Sequence, residues 1–160
     1  MILPSHQQPL TPNQAAVLRE ARKLLGIRWR HQGRNPERGL DCGGVPDIVA
    51  TRLGWAHTPI LAYSRYPDGV SIKAYLRREM VEIRRKDLQP ADVLLLLNIV
   101  EGVWPCHVAI VASCRERLTI IHGDAIEEKV VENGIDLSWE RKIAGCFRYR
   151  EIAEEIGPWQ

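Results

Sequence analysis

The first quarter of the chain has apolar residues at helical spacing. They recur every three or four positions, at Val17, Leu18, Ala21, Leu24 and Leu25, which predicts one apolar helix face. Thr11 can serve as the N-cap, Pro12 as the first helical residue and Gln14 as the partner in a capping box. Gly26 is a natural stop. We therefore expect a first helix from about Pro12 to Gly26.

Two further helices are predicted on either side of an irregular segment. Residues 27–41 are rich in Arg, Gly, Asn and Pro and indicate a loop. A second helix runs from about Gly43 to Leu53, because proline is tolerated only near a helix start and Pro46 therefore fixes that start close to Cys42. Residues 55–69 contain prolines and aromatic residues and predict a long loop. A third helix is expected from about Ser71 to Met80.

In the second half of the chain, the apolar residues no longer recur at helical spacing, and their pattern predicts strands. Val93–Leu97 is a continuous apolar run, too short for a buried helix and suited to a buried strand. Further strands are expected at 106–112, 118–122, 129–131 and 144–149. Helices followed by strands indicate an α+β fold with a small, mostly antiparallel sheet. At 160 residues the chain suits one domain, with residues 1–12 as an N-terminal extension and 151–160 as a C-terminal tail.

Composition and charge exclude several classes of protein. The 22 Lys and Arg residues nearly balance 20 Asp and Glu residues, so the net charge of +2 indicates no nucleic-acid partner. The local basic excess at Arg77-Arg78 and Arg84-Arg85-Lys86 is either a solvated helix face or a contact with an acidic polymer. No run reaches the roughly 18 apolar residues that a membrane span needs. Residues 1–12 lack the pattern of a secretory signal, so we expect synthesis in the cytoplasm and four free thiols.

Asp41-Cys42-Gly43-Gly44 is the first candidate for chemistry. Cys42 falls at the predicted start of the second helix, where the positive end of the helix dipole favours a thiolate. Gly43 and Gly44 leave backbone N–H groups uncovered, so these groups could bind an oxyanion. The alternative is a tight turn with a buried thiol.

His107 and His122 lie on two predicted strands that flank a polar turn, residues 113–117. The midpoint between them falls between Cys114 and Arg115. A hairpin centred there would place the two imidazoles nearly opposite each other on one face, whereas a shift of one residue would separate them. A cysteine with an imidazole base and a third orienting group predicts a hydrolase or an acyltransferase.

A zinc site is the competing interpretation. Cys106, His107, Cys114 and His122 are all possible ligands. However, Cys106 and His107 are adjacent on a strand and point to opposite faces, and the chain has no Cys-x-x-Cys pair. We therefore expect neither a metal nor a cofactor.

Over residues 20–150 the chain resembles the NlpC-type cell-wall peptidases, a papain-like cysteine peptidase family. The similar segments follow the family's order: Gly26–Trp29, Gly39–Gly44, Leu88–Val93, His107–Val111 and Ile120–His122. The resemblance extends to the phage-encoded, tail-associated branch through Arg30-His31-Gln32 and the segment Trp139–Tyr149. Two positions depart from the family pattern. Trp29 stands where a tyrosine is usual, and Gly43 where a serine is common.

The resemblance implies a papain-like fold in which helices pack on an antiparallel sheet and the nucleophile sits at a helix N-terminus. Cys42 would attack an amide carbonyl, His107 would act as base and acid, and His122 would orient His107. The remaining candidates, assigned to the oxyanion and the substrate, are Asp41, Gly43, Trp29 and His31.

The implied substrates are the stem peptides of peptidoglycan, commonly cut between D-glutamate and a diamino acid. Residues 55–69, with Trp55, Tyr63 and Tyr66, either wall the cleft or form a packed loop. Two alternatives stay open: a phage-tail assembly protein that retains the fold with little activity, and an amidase or acyltransferase that uses the same thiolate. Phage-tail proteins are then expected partners, and a tail particle the route of delivery.

Overall fold

The computed structural model describes residues 8–59, 63–64, 69–97 and 105–158. The helices in these residues are α1 (Pro12–Arg22), α2 (Gly44–Arg52), α3 (Val70–Glu79), α4 (Leu137–Arg141) and α5 (Arg150–Ile156), with a 3-10 turn at Arg85–Asp87. The strands are β1 (Arg34–Asn35), β2 (Gly39–Leu40), β3 (Val81–Ile83), β4 (Val93–Leu97), β5 (Pro105–Cys114), β6 (Arg117–Asp124), β7 (Lys129–Gly134) and β8 (Ile143–Arg148).

Helix α1 begins as its sequence predicts. The Thr11 hydroxyl accepts from the Gln14 N–H at 3.2 Å, and the Gln14 side chain accepts from the Thr11 N–H at 2.9 Å, which completes the capping box. The helix ends at Arg22, earlier than the expected stop at Gly26. A tighter turn follows, in which the Leu24 N–H donates to the Ala21 carbonyl. This turn keeps Leu24 in the core.

Six strands form one antiparallel sheet, in the order β3-β8-β4-β5-β6-β7. The predicted strand Val93–Leu97 is confirmed at both ends. Its run of apolar residues has a structural reason, because β4 is covered on both faces. Val93 and Leu95 pack in the cluster that includes α1 and α2, while Leu94 and Leu96 pack in a second cluster on the other face.

The helices cover one face of the sheet and hold the larger core. Val17 of α1, Val49 of α2 and Ile152 of α5 all lie in the cluster that contains β4 and β5 residues. The opposite face is covered by a smaller cluster that Trp139 of α4 joins at its edge. The predicted α+β class, with helices packed on a mostly antiparallel sheet, is confirmed.

The β5–β6 hairpin has a different register from the one expected. Cys114 pairs with Arg117, so the loop is Arg115-Glu116, with φ of 48° and 68°. These left-handed angles are typical of a two-residue hairpin turn. The expectation that His107 lies opposite His122 is therefore wrong: the register continued along β5 would place it opposite residue 124. Because the pairing shifts by two residues, both histidines stay on the same face.

Several short elements were not predicted. Strand β3 has three residues and pairs with β8 at the sheet edge, and β1 and β2 lie in the expected loop 27–41. The expected C-terminal tail begins as helix α5, whose Ile152 is buried. Strands β1, β2 and β3 have only two or three residues, too few for a periodic pattern to be recognised in a sequence.

The local basic excess is paired with acidic residues. Arg77, Arg78, Arg84 and Arg85 form ion pairs with Glu82, Glu79, Asp87 and Glu140. This pairing favours the interpretation as a solvated surface. Within the described ranges, no helix has the length and apolar character that crossing a membrane requires.

Candidate active site

Cys42 lies in the turn that joins β2 to α2, directly before the N-cap residue Gly43. Strand β6 packs against this turn at Gly123. A Cβ atom at position 123 would lie 2.7 Å from the carbonyl group of Asp41 and 3.1 Å from the backbone nitrogen of Cys42. Glycine is therefore required at 123 for β6 to approach the backbone of the cysteine turn. No pattern in the sequence pointed to Gly123, although this residue follows His122 directly.

Asp41 is the residue that holds the turn together. Its Oδ1 accepts from the Gly44 N–H at 2.9 Å and from Arg34 at 2.8 Å. Its Oδ2 accepts from the Gln32 N–H at 2.9 Å and from the Tyr63 hydroxyl. Four donors thus surround a buried carboxylate. The expectation that the Gly44 N–H is available to an oxyanion is wrong, because Asp41 engages it.

Arg34 and Tyr63 complete the cluster around Asp41. Arg34 Nη2 donates to the Tyr63 hydroxyl at 3.0 Å, and its guanidinium lies 5.6 Å from the centre of the Tyr63 ring. Burial and the charge of Asp41 raise the pKa of Tyr63 above its usual value, so its hydroxyl stays a neutral donor. Arg34 was not predicted, and its position in a loop of polar residues gave no signal.

The two histidines form a hydrogen-bonded series with a third residue. His107 Nε2 lies 2.9 Å from His122 Nδ1, with the rings edge to face. His122 Nε2 lies 2.8 Å from Asn133 Oδ1 on β7. His122 is fully buried and His107 is 8% exposed, while Trp139 packs its ring against His122. The predicted imidazole pair is therefore present, and Asn133 extends it.

Cys42 and His107 line one cavity of about 650 Å³. The backbone N–H of Val108 forms a hydrogen bond with the Cys42 thiol. Because Val108 follows His107 on β5, this bond places the sulfur against the strand that carries the imidazole. His107 Nε2 is engaged by His122, so the other ring nitrogen of His107 is Nδ1.

Burial sets the protonation of both groups. It raises the pKa of the Cys42 thiol to about 12, with the Asp41 charge adding to the rise and the Val108 hydrogen bond opposing it. It lowers the pKa of His107 well below its usual value, with His122 and Lys142 adding to the effect. The resting pair is a neutral thiol and a neutral imidazole. Burial and the charge of Asp41 thus oppose the thiolate that the helix dipole was expected to favour.

The remaining predicted residues lie around the same cavity. Trp29, His31 and Gly43 all line it, and His31 packs edge to face against Tyr63 at 5.6 Å. Trp55 and Tyr63 line it as well, so the described part of the 55–69 loop forms a wall of the cleft. Tyr66 lies outside the described residues.

A second polar pair in the lining was not predicted. His57 Nε2 lies 2.7 Å from Asp47 Oδ1, and His57 Nδ1 lies 2.9 Å from the Trp55 carbonyl. Asp47 is also 3.7 Å from Arg34 Nε. These contacts tie the segment after α2 back to the first turn of that helix and so fix one side of the cavity.

The structure gives no support to the zinc interpretation. Over residues 8–59, 63–64, 69–97 and 105–158, no three His, Cys, Asp or Glu side chains converge as metal ligands do. The four residues considered as ligands are all described, and Cys114 among them is exposed at the end of β5.

Comparison with known proteins identifies the fold. The sequence matches no protein-family model and no curated protein. A lipoprotein-like protein of the NLP/P60 family from Staphylococcus aureus superposes with a TM-score of 0.64 at 16% identity, over 91% of this chain and 44% of that one. This chain therefore spans less than half the length of the staphylococcal protein.

Two solved structures of similar size have the same architecture. The NlpC/p60 domain of the peptidoglycan hydrolase SagA gives a TM-score of 0.59 at 20% identity, over 84% of this chain and 97% of that one. RipD from Mycobacterium tuberculosis, a non-catalytic NlpC/p60 domain protein adapted to peptidoglycan binding, gives 0.58 at 9% identity, over 87% and 98%. These likenesses show that the chain has the NlpC/P60 fold.

Proposed function

We propose that this chain, which has the NlpC/P60 fold, is a cysteine peptidase that hydrolyses amide bonds in the stem peptides of peptidoglycan. The observation that carries the proposal is the hydrogen-bonded series from His107 through His122 to Asn133, with Cys42 and His107 on one cavity. A buried imidazole pair on the same cavity as a half-buried thiol is costly to maintain, and nucleophilic catalysis gives it a use.

The mechanism follows from the neutral resting pair. As the substrate carbonyl approaches, the Cys42 proton moves to His107 Nδ1 and the sulfur–carbon bond forms. His107 then gives that proton to the leaving amine as the amide C–N bond breaks. A water molecule hydrolyses the resulting thioester, passing a proton to His107, which returns it to the departing thiolate. His122 holds the His107 ring throughout.

The oxyanion would be stabilised by N–H groups that do not donate to Asp41. The Gly43 N–H, at the N-terminus of α2, and the indole N–H of Trp29 are the candidates, since both residues line the cavity. Trp29 offers a donor where the resemblance leads one to expect a tyrosine hydroxyl. Asp41 is assigned to holding the turn, and His31 to contact with the substrate.

The cavity lining favours a particular substrate. Its described residues carry five carboxyl groups, on Asp41, Asp47, Glu79, Asp124 and Glu151, and a single guanidinium group, on Arg34. An acidic lining attracts a substrate with a free amine, which a diamino acid provides. We therefore assign the bond between D-glutamate and a diamino acid as the one cleaved.

The main alternative is a protein that binds or assembles without catalysis. RipD is described as a non-catalytic NlpC/p60 domain protein, so the fold alone does not imply activity. The intact Cys42, His107 and His122 favour the enzyme. An amidase or acyltransferase would use the same residues, and only the products distinguish these reactions.

A phage-tail origin and delivery in a tail particle belong to the same proposal. They rest on the sequence resemblance at residues 30–32 and 139–149. Both segments contact the site: the Gln32 N–H donates to Asp41, and Trp139 packs against His122.

Digestion of purified peptidoglycan tests the proposal. Wild-type protein and the Cys42→Ala variant are incubated with the polymer, and the released fragments are analysed by mass spectrometry. We expect stem-peptide fragments that begin at the diamino acid, from wild type only. Fragments cut at the sugar–peptide amide would assign an amidase, and undigested polymer with retained binding would favour the non-catalytic role.

A further inference from the structure

Asn133 lies where it can control the histidine pair. On β7 it pairs with Ile120, and His122 pairs with Val131, so Asn133 and His122 are diagonal neighbours on the same face of the sheet. The Asn133 side chain is half-buried and accepts from His122 at 2.8 Å. The pattern of residues gave no reason to select it.

The direction of each hydrogen bond follows from the amide oxygen. Oδ1 of Asn133 can only accept, so His122 Nε2 must carry a proton. A neutral imidazole has a single N–H, which makes His122 Nδ1 an acceptor. His107 Nε2 must then donate across the 2.9 Å contact. A neutral His107 protonated at Nε2 has a bare Nδ1, the nitrogen that must receive the Cys42 proton.

We infer that Asn133 is a positioning residue that holds His122 and His107 in the tautomer in which His107 Nδ1 can act as a base. If the amide were turned over, its NH₂ group would face His122 Nε2. Every hydrogen bond in the series would then reverse, and His107 Nδ1 would carry a proton and could not accept one. The amide therefore sets the polarity of the whole series.

A neutral residue suits this position. Burial lowers the pKa of both histidines, and the Asn133 hydrogen bond only partly offsets this at His122. The charged groups that act on the pair are Lys142, which lowers the pKa of His107, and Asp124, which works against the lowering at His122. With both rings neutral, the direction of the hydrogen bonds alone decides which nitrogen of His107 is bare.

The inference rests on the proposed thiol–imidazole chemistry, but its first test does not require activity. Nitrogen-15 NMR of histidine-labelled protein above pH 7 reports the tautomer of each ring. We expect both His107 and His122 to carry the proton on Nε2 in wild type. Asn133→Leu, of similar size but without an acceptor, should give a mixture of tautomers at His122 and His107.

Glu132→Gln is the matched control, since this neighbouring side chain on β7 bonds Arg22 and Thr119 and does not contact the histidines. It should leave both tautomers as in wild type. A spectrum of Asn133→Leu identical to that of wild type would overturn the inference. So would a wild-type His107 that carries its proton on Nδ1.

Kinetics separate positioning from a merely structural role. Asn133→Leu should lower kcat about tenfold with little change in KM, a loss smaller than the roughly 10²–10⁴-fold that a positioned base contributes. Asn133→Asp keeps the acceptor but adds a negative charge, which favours protonated histidine. The acid limb of kcat/KM should move up by about one pH unit.

If Asn133→Leu does not fold, Asn133→Asp still tests whether Asn133 positions the two histidines. An acid limb that does not move in Asn133→Asp overturns the inference. If wild type cuts no peptidoglycan, the proposed function fails, while the NMR spectra still decide the role of Asn133.

Discussion

The guanidinium of Arg34 occupies the space beside Gly43. A Cβ atom on residue 43 would lie 3.1 Å from Arg34 Nη2, closer than such contacts normally are. Arg34 needs this position to reach Asp41 at 2.8 Å and Tyr63 at 3.0 Å. Gly43, where serine is common in the family that the chain resembles, is therefore coupled to an arginine that holds the cysteine turn.

This coupling predicts non-additive substitutions. Gly43→Ala should lower the free energy of unfolding by about 1–2 kcal/mol through overpacking. Arg34→Lys removes the crowding atom, so the double variant should lose about 1 kcal/mol less than the sum of the single variants. Urea unfolding measures both. Gly134→Ala is the control, because a Cβ at 134 meets no atom within 4 Å. Additive losses would contradict the coupling.

Alkylation of Cys42 should be slow at neutral pH. Its pKa is raised to about 12 by burial and by Asp41, and the thiolate is the reactive form. We expect Cys42 to react with iodoacetamide at pH 6 more slowly than the exposed Cys114. Its rate should rise about tenfold per pH unit up to pH 10. Peptide mass spectrometry follows each thiol separately. Fast labelling of Cys42 at pH 6 would indicate a resting thiolate and would contradict the neutral pair.

Mild acid should destabilise the protein through the buried histidines. Burial lowers the pKa of His107 and His122, so below about pH 6.5 the unfolded chain binds protons that the folded chain does not. Their stabilising contribution is complete above pH 6.5 and is lost as pH falls towards their folded pKa values. His107, whose pKa is lowered well below its usual value, should lower the free energy of unfolding by about 1 kcal/mol between pH 6.5 and 5.5, and His122 should add to this loss.

Urea unfolding at the two pH values measures this loss. The double variant His107→Gln/His122→Gln, which keeps the other histidines, should lose about 1–2 kcal/mol less than wild type over the same interval. An equal loss in both proteins would show that other groups cause the acid sensitivity.

Loss of the ion pair of Asp92 and Arg148 should lower the free energy of unfolding more than loss of an exposed ion pair does. Both side chains are fully buried, and Arg148 Nε donates to Asp92 Oδ1 at 2.7 Å. Removing one partner in Asp92→Asn or Arg148→Met should cost about 3–5 kcal/mol, because an unpaired charge or polar group stays buried. The exposed pair Arg77–Glu82 is the control, and its loss should cost under about 1 kcal/mol. Equal costs for the two pairs in urea unfolding would refute this.

The elements that the sequence predicted well are those with a strong local signal. The cap at Thr11, the two-sided burial of Val93–Leu97 and the helix start near Cys42 each depend on a few neighbouring residues. The spacing also predicted that His107 and His122 share one face of the sheet. Their register was predicted two residues from its actual value, since a polar turn of five residues does not say which two form the loop.

The interior of the site could not be predicted in the same way. Asn133 and Gly123 act through neighbouring strands, and Tyr63 reaches Asp41 across 22 residues of chain. Such contacts form only when the chain folds, and they produce no recognisable pattern in the sequence. The effect of burial on the Cys42 thiol was missed for a related reason, because a sequence indicates where a helix begins but not which groups are buried.

The proposed function requires Cys42 as the nucleophile and His107 as its base. The rate at which soluble stem-peptide fragments leave purified peptidoglycan at pH 7 tests this most directly. It is compared at equal protein concentration for wild type, Cys42→Ala and His107→Gln. We predict measurable release by wild type and rates at least about 10³-fold lower in both variants. Equal rates in wild type and Cys42→Ala, or no release by correctly folded wild type, would contradict the account.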